Sequence, residues 1–155
     1  MTDPTPAIRV LLLEDSGFDA ELLAETLRSS YPLAQLRWVT GREEFLAELA
    51  GEPWDVVLSD HELPGFSGLE ALDAVRARSA TMPFIFVSGV IGEENAVEML
   101  KRGATDYVSK TRLSRLPVVV ERALREAAVL AARTLAETRL RDADLRYAVS
   151  SSSTA

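Results

Sequence analysis

Five short apolar runs punctuate the chain, and the segments between them carry apolar residues at helical spacing. The runs are Ile8-Arg9-Val10-Leu11-Leu12-Leu13, Leu36-Arg37-Trp38-Val39, Val56-Val57-Leu58, Phe84-Ile85-Phe86-Val87 and Tyr107-Val108. The first, third and fourth are nearly unbroken rather than alternating, which is the pattern of strands buried on both faces. Between the runs, Leu23 and Leu27 stand four apart after Asp19, which is expected to cap their helix. Thr40 with Glu43, and Ser67 with Glu70, have the spacing of capping boxes ahead of apolar residues. Residues 93–102 set Ala96, Met99 and Leu100 on one side, and Gly103 stands where a C′ glycine ends a helix. A last helix is expected to start near Ser114, with Pro117 in its first turn.

The predicted order is βαβαβαβαβα. Such alternation implies a parallel sheet with helices on both faces. In open sheets of this kind the working site lies at the carboxyl ends of the strands. Residues with chemistry stand at those places: Glu14-Asp15 after the first run, Ser59-Asp60-His61-Glu62 after the third, Ser88-Gly89 after the fourth and Lys110 after the fifth.

Composition narrows the chemistry. The length of 155 residues fits one domain with an appendage. Hydrophobic residues at 47% and charged residues at 26% argue against disorder of the whole chain. The lack of cysteine excludes a disulfide scaffold, a thiol nucleophile and a Cys-ligated metal, and the single His61 excludes a multi-His site within one chain. Met1-Thr2-Asp3-Pro4 does not begin a signal peptide, and no 18-residue apolar stretch occurs, so a cytoplasmic protein without a membrane partner is expected. Residues 1–110 hold 19 acids against 9 bases, and residues 111–155 hold 5 against 8, for a net charge of −7. An acidic body argues against nucleic acid as a partner, and tail arginines interspersed with acids read as a solvated helix.

Clustered carboxylates without Cys or further His make an all-oxygen site, which Mg²⁺ prefers. Asp15 and Asp60 are the candidate ligands, and Glu14 is expected to act through a coordinated water. Left bare, these groups repel one another, so a cation or a raised pKa is required. Lys110 offers a point charge and Ser88 a hydroxyl to a phosphoryl group in transfer. A carboxylate nucleophile then gives an aspartyl-phosphate, and Asp60 is the candidate acceptor. Taken singly, each residue has an ordinary role: Glu14 and Asp15 as helix-start acids, Asp60 as a turn residue, Lys110 as a surface lysine. Their joint placement at four strand ends is what points to a site.

These residues carry a family resemblance. Glu14-Asp15, the stretch Asp60-His61-Glu62-Leu63-Pro64-Gly65-Phe66-Ser67-Gly68, Val87-Ser88-Gly89 and Gly103-Ala104-Thr105-Asp106-Tyr107-Val108-Ser109-Lys110 resemble the receiver domain of two-component response regulators, over about residues 7–130. The resemblance, to chemotaxis-regulator-like members, implies a doubly wound (βα)5 flavodoxin-like fold with a five-stranded parallel sheet. It implies transfer of a phosphoryl group to Asp60 from a sensor histidine kinase or a histidine phosphotransfer protein, with Mg²⁺ as cofactor. It implies no enzyme beyond self-catalysed aspartyl phosphorylation and dephosphorylation. By the family pattern Glu14, Asp15, Asp60 and the backbone carbonyl of Glu62 hold the metal shell. Ser88 and Lys110 take the phosphoryl oxygens, Ser88 and Tyr107 form the switch pair, and Glu62 and Val90 tune phosphoryl lifetime. One departure is Thr111, where the family usually has a proline, often after a cis bond. A cis bond there costs about 2.5–4 kcal/mol without proline, which leaves the loop after the fifth strand open. His61-Glu62-Leu63 superficially resembles the start of a histidine kinase phosphoacceptor box. It follows a strand and is broken by Pro64, so His61 is read as a solvent-facing loop residue.

The expected organisation is a disordered residues 1–6, a receiver at 7–130, a helical extension or linker at 131–149 and a disordered tail at 150–155. Residues 118–149 lack glycine and proline and are rich in helix formers. Leu124, Ala128, Ala131, Leu135, Thr138, Asp142, Leu145 and Val149 alternate by four and three, a heptad-like line that Thr138 and Asp142 weaken. A homodimer or partner contact is expected through residues 93–125 and this C-terminal helix. Other readings stay open: the receiver piece of a larger sensory or hybrid kinase protein, or a non-phosphorylated docking module. An FMN-binding flavodoxin is disfavoured because Glu14 and Asp15 would repel the FMN phosphate. A phosphatase or phosphotransferase using Asp60 lacks the Asp-x-Asp pattern of one such group, since Glu62 stands at the second acid's place.

Overall fold

The computed structural model describes residues 7–89 and 92–152. Five strands alternate with five helices: β1 (Arg9–Leu13), α1 (Gly17–Arg28), β2 (Gln35–Val39), α2 (Arg42–Ala50), β3 (Val56–Ser59), α3 (Gly68–Arg78), β4 (Phe84–Ser88), α4 (Glu93–Lys101), β5 (Asp106–Ser109) and α5 (Leu116–Ser152). A 3-10 helix, Lys110–Arg115, joins β5 to α5. All strand pairs are parallel, in the order β2-β1-β3-β4-β5. This is the doubly wound flavodoxin-like order, whose direction reverses between β1 and β3.

The unbroken apolar runs follow from two cores. Val10 and Leu12 of β1, with Leu58, Ile85 and Val87, pack against Leu23 and Leu27 of α1 and Leu116, Val119 and Val120 of α5. Leu11 and Leu13, with Val57, Phe84 and Phe86, pack against Phe45 of α2, Leu72 and Val75 of α3 and Met99 of α4. Each side chain along a central strand therefore has a core to enter, whichever way it points. Edge strand β2 buries only Val39 completely.

Helix starts and ends are local chemistry. Ser16, not Asp19, caps α1: the Asp19 N–H donates to Ser16 Oγ at 3.3 Å, and Asp19 is the third helical residue. The Thr40–Glu43 box does not form. Gly41 occupies the cap position of α2, and Thr40 Oγ1 instead bonds Glu44 Oε1 at 3.2 Å. At Ser67 the hydroxyl half of the box forms: the Glu70 N–H donates to Ser67 Oγ at 3.1 Å, while the Ser67 hydroxyl donates to Glu70 Oε1 at 3.4 Å. On α4, Ala96 and Met99 are buried but Leu100 is exposed: it stands about 100° around the helix from Met99, past Ala96 on the outer margin of the buried face. Gly103 ends that helix at φ +109°, with Gly103 N–H to Leu100 O and Ala104 N–H to Met99 O both at 3.1 Å. That pair of bonds is a Schellman motif, which needs the left-handed residue.

Helix α5 starts at Leu116, two residues beyond the expected Ser114, with Pro117 in its first turn. Its 37 residues span about 55 Å. Every side chain from Ala128 to Arg146 is exposed. The helix also covers Ser150–Ser152, the first part of the stretch read as a disordered tail. Residues 1–6 and 153–155, the other stretches read as disordered, lie outside the described residues.

Candidate functional site

Sheet register assembles the site. Leu13 of β1 is paired with Ser59 of β3, so the next residues, Glu14 and Asp60, emerge side by side. The bond from Asp60 N–H to Leu13 O, at 3.0 Å, ties the two strand ends together. One carboxylate oxygen from each of Glu14, Asp15 and Asp60 lies within 4.8 Å of the others. On the far side, Ser88 of β4 pairs with Ser109 of β5, and Lys110 follows directly.

Lys110 closes the group. Its Nζ lies 2.8 Å from Asp19 Oδ2, 2.8 Å from Glu14 Oε2 and 3.0 Å from Asp60 Oδ2. The contacts to Asp19 and Asp60 are hydrogen bonds. The contact to Glu14 is an ion pair of the same length as that to Asp19. The Glu14 side chain is 1% exposed, and its other oxygen accepts the Ser16 N–H at 3.1 Å. Three converging carboxylates, one of them buried, make an all-oxygen donor set that suits a hydrated divalent cation.

The electrostatics agree. Burial pushes the Glu14 carboxyl above its ordinary 4.5; Lys110 and the Ser16 N–H pull the other way, and the charge of Asp60 adds to the rise. Burial acts to lower the Lys110 pKa, but Asp19, Glu14 and Asp60 overcome it, and the ammonium is held charged above the usual lysine range.

Backbone geometry fixes Asp60. Its Oδ1 accepts the His61 N–H at 2.7 Å. Beyond it, Gly65 at φ +72° follows Pro64 in a turn closed by Phe66 N–H to Leu63 O at 3.3 Å. The Gly68 N–H then returns to His61 O at 2.8 Å. A Cβ on Gly68 would lie 2.3 Å from Asp60 O and 2.6 Å from Phe86 Cε1, so glycine alone lets α3 start this close to the acceptor. His61 is half-buried, its ring edge-on to Phe86 with centroids 6.2 Å apart, rather than solvent-facing. Glu62 carries an exposed side chain, and Val90 lies outside the described residues.

Ser88 is buried at the end of β4, beside Gly89, whose carbonyl accepts Ser109 Oγ–H at 3.1 Å. Tyr107 is half-buried on β5 at the margin of the core that holds Phe86 and Met99. The Lys110–Thr111 bond is trans. The Thr111 N–H donates to Ser109 Oγ at 3.3 Å, starting the 3-10 helix with a bond that proline could not make.

Two neighbours escaped the sequence reading. Asp19 joins Lys110, and Trp38 Nε1–H donates to the Glu14 carbonyl at 2.6 Å. The Ser16-x-x-Asp19 spacing was the available signal for Asp19, since it sets that residue in the first turn of the helix that opens at the site.

A family model described as the response regulator receiver domain matches residues 10–121. The chain belongs to that family. It is similar to the response regulator protein FleR of Pseudomonas aeruginosa, at 33% identity over 67% of this chain and 22% of that protein. It is also similar to the two-component response regulator ORR42 of Oryza sativa subsp. japonica, at 30% identity over 74% of this chain and 85% of that protein. Among solved structures, NtrX from Brucella abortus in complex with ATP matches with a TM-score of 0.76 and 26% identity, over 83% of this chain and 29% of that chain. The receiver domain of the Francisella response regulator 1452 matches with a TM-score of 0.69 and 22% identity, over 77% and 98%. Several bacterial relatives are far longer than this chain: the match spans 22% of FleR and 20% of the regulatory protein LuxO of Vibrio cholerae. Receiver domains interact with histidine kinases or phosphotransfer proteins, and phosphorylation and Mg²⁺ binding at an acidic cluster are general features of the family.

Proposed function

We propose that this receiver accepts a phosphoryl group on Asp60 from the phosphohistidine of a sensor histidine kinase or phosphotransfer protein. The observation that carries the reading is the convergence of Glu14, Asp15 and Asp60 with the Lys110 ammonium 3.0 Å from the acceptor. Glu14, Asp15, Asp60 and the Glu62 backbone carbonyl would hold Mg²⁺, which supplies charge neutralisation for the incoming phosphoryl oxygens. An Asp60 oxygen attacks phosphorus, the phosphorus–nitrogen bond breaks, and the imidazole nitrogen keeps the electron pair. Lys110, on a flexible stem, turns from Asp60 Oδ2 to a phosphoryl oxygen, while the His61 N–H keeps Oδ1 oriented. Ser88 donates its hydroxyl to another. Hydrolysis of the acyl phosphate returns the carboxylate. On this reading the chain works in the cytoplasm and turns over no separate substrate; among the described residues no helix is long and apolar enough to cross a membrane.

Phosphorylation adds charge at Asp60, and the movement of Ser88 with Tyr107 shifts a pre-existing equilibrium at the face of residues 93–125. Helix α5 offers that output a second copy to pair with. Val129, Ala132, Ala136, Leu140 and Ala143 follow one another at three, four, four and three, an uncharged exposed line with an eleven-residue period. This line is cleaner than the heptad through Thr138 and Asp142, and the projecting turns have no packing within the chain to stabilise them.

The acceptor is tested by intact-protein mass after acetyl phosphate with and without Mg²⁺. One phosphoryl adduct, dependent on Mg²⁺ and lost in Asp60→Asn, is expected; an adduct retained in Asp60→Asn refutes the assignment. Light scattering on the full chain and on a form lacking residues 131–155 tests the pairing. A number of subunits per particle unchanged both by that deletion and by phosphorylation rules it out.

A further inference from the structure

Lys110 is shared among three carboxylates, and one of them stands outside the converging acidic group. An ammonium has three N–H bonds, and Asp19, Glu14 and Asp60 take all its close approaches. Glu14 and Asp60 belong to the cluster whose oxygens converge within 4.8 Å; Asp19 does not. We propose that Asp19 is a positioning residue that holds the Lys110 ammonium on the α1 side of the site when a divalent cation takes Glu14 and Asp60. The inference rests on the phosphoacceptor reading above.

Placement supports it. Asp19 is fixed by the Ser16 cap in the first turn of α1, where the helix dipole favours an anion. Its carboxylate is 31% exposed, against 1% for Glu14, so it stands at the rim of the site rather than inside it. The Lys110 side chain is only 17% exposed, so the ammonium has few solvent positions to retreat to.

Competition supplies the physical argument. A divalent cation among Glu14, Asp15 and Asp60 repels an ammonium that sits 2.8 to 3.0 Å from two of the same groups. Lys110 must then give up both contacts. With Asp19 present it keeps one full ion pair and stays beside the site, one bond rotation from an arriving phosphoryl oxygen. Without Asp19 its remaining partners are the two carboxylates the metal needs, and it competes for them. Removing the Asp19 charge should therefore weaken metal binding through Lys110, beyond the general loss of negative field.

A double-mutant cycle separates those two routes. Mg²⁺ affinity is measured by titration calorimetry, and by the change in tryptophan emission, to which Trp38, bonded to the Glu14 carbonyl, contributes beside Trp54. Asp19→Asn should weaken Mg²⁺ binding by about tenfold, within the coupling range of contacting residues. In a Lys110→Met background the same substitution should change it by less than about twofold. Asp19→Glu, which keeps the charge on α1, should recover most of the loss. Asp19→Ser, a good first-turn residue, repeats the test should the Asn variant melt early. An equal loss in both backgrounds makes Asp19 only a field charge and overturns the proposal, as does no loss in either. Failure of the unaltered protein to bind Mg²⁺ at all overturns the phosphoacceptor reading, and the positioning role falls with it.

Discussion

Gly68 and Gly17 form a matched pair. Each is the first residue of a helix, and each follows a serine that caps that helix through its hydroxyl. Alanine suits either position by intrinsic propensity. They differ in what a methyl group meets. At Gly17 the nearest atom is Trp38 Cη2 at 3.6 Å, an ordinary van der Waals contact. At Gly68 the methyl falls 2.3 Å from the Asp60 carbonyl oxygen and 2.6 Å from Phe86 Cε1. Phe86 is fully buried, and the carbonyl is backbone, so no flexible side chain can move aside. Relief requires α3 to lift from the β3 end, stretching the 2.8 Å bond from Gly68 N–H to His61 O. Overpacking of this kind costs about 1–3 kcal/mol, and a lost hydrogen bond adds about 1 kcal/mol. Gly68→Ala should therefore destabilise by about 3 kcal/mol. That corresponds to a drop in Tm of about 6–12 °C at this size. Gly17→Ala should be neutral or stabilise by about 0.4–1 kcal/mol. Urea denaturation of both variants, with unchanged slope, reads the difference. A Gly68→Ala protein within about 0.5 kcal/mol of the unaltered chain would refute the steric argument. A destabilised protein that still takes phosphate on Asp60 at the normal rate would show that the lift does not reach the acceptor.

Two further outcomes are expected. Arg76 donates Nε–H and Nη2–H to Gly103 O at 2.9 and 2.8 Å, and Nη1–H to Met82 O at 2.7 Å and Ser79 O at 3.2 Å. Arg76→Ala should cost about 3 kcal/mol in urea denaturation, with little recovery in Arg76→Lys, whose single ammonium cannot fork between those carbonyls; recovery by lysine would refute the forked role. The Glu14 carboxyl is raised in the folded chain, so the folded state holds that proton more tightly than the unfolded one. Metal-free protein should gain stability from this group as pH falls from neutral through the raised value, the gain being complete below the ordinary 4.5. Mg²⁺ affinity should fall over the same window, because protonation removes the acceptor. Melting curves against pH should show this slope in the unaltered chain and not in Glu14→Gln; parallel slopes would refute it.

The strands were legible because their physics is local in sequence. An unbroken run such as Val10 to Leu13 has one economical use, burial on both faces, and three such runs among five apolar segments, with helical spacing between them, leave few topologies. The site edge followed from topology alone, since strand ends in a parallel sheet share one rim. What pattern could not supply was rotation and competition. Leu100 looked like a core residue beside Met99, but α4 is held by Ala96 and Met99 and turns Leu100 outward. Thr40 and Glu43 had the spacing of a cap, but Gly41 sits at the helix start in extended conformation, and the threonine found Glu44 instead. Thr111 left the loop after β5 open, because only the structure shows Ser109 Oγ receiving its N–H.

Asp19 shows how one local substitution of partners reaches the chemistry. In a capping box, the acid at the third helical position reaches back to the N–H of the capping residue. At Ser16 that N–H is already taken by Glu14 Oε1 at 3.1 Å, two residues upstream. The serine hydroxyl still caps Asp19, but the Asp19 carboxylate has no bond to return. It is left free to face the strand ends, where Lys110, 91 residues later, arrives at 2.8 Å. The same exchange spends one oxygen of Glu14 on the helix start and leaves the other to the ammonium, at 2.8 Å. The cap of α1 and the charge distribution of the site are thus one arrangement.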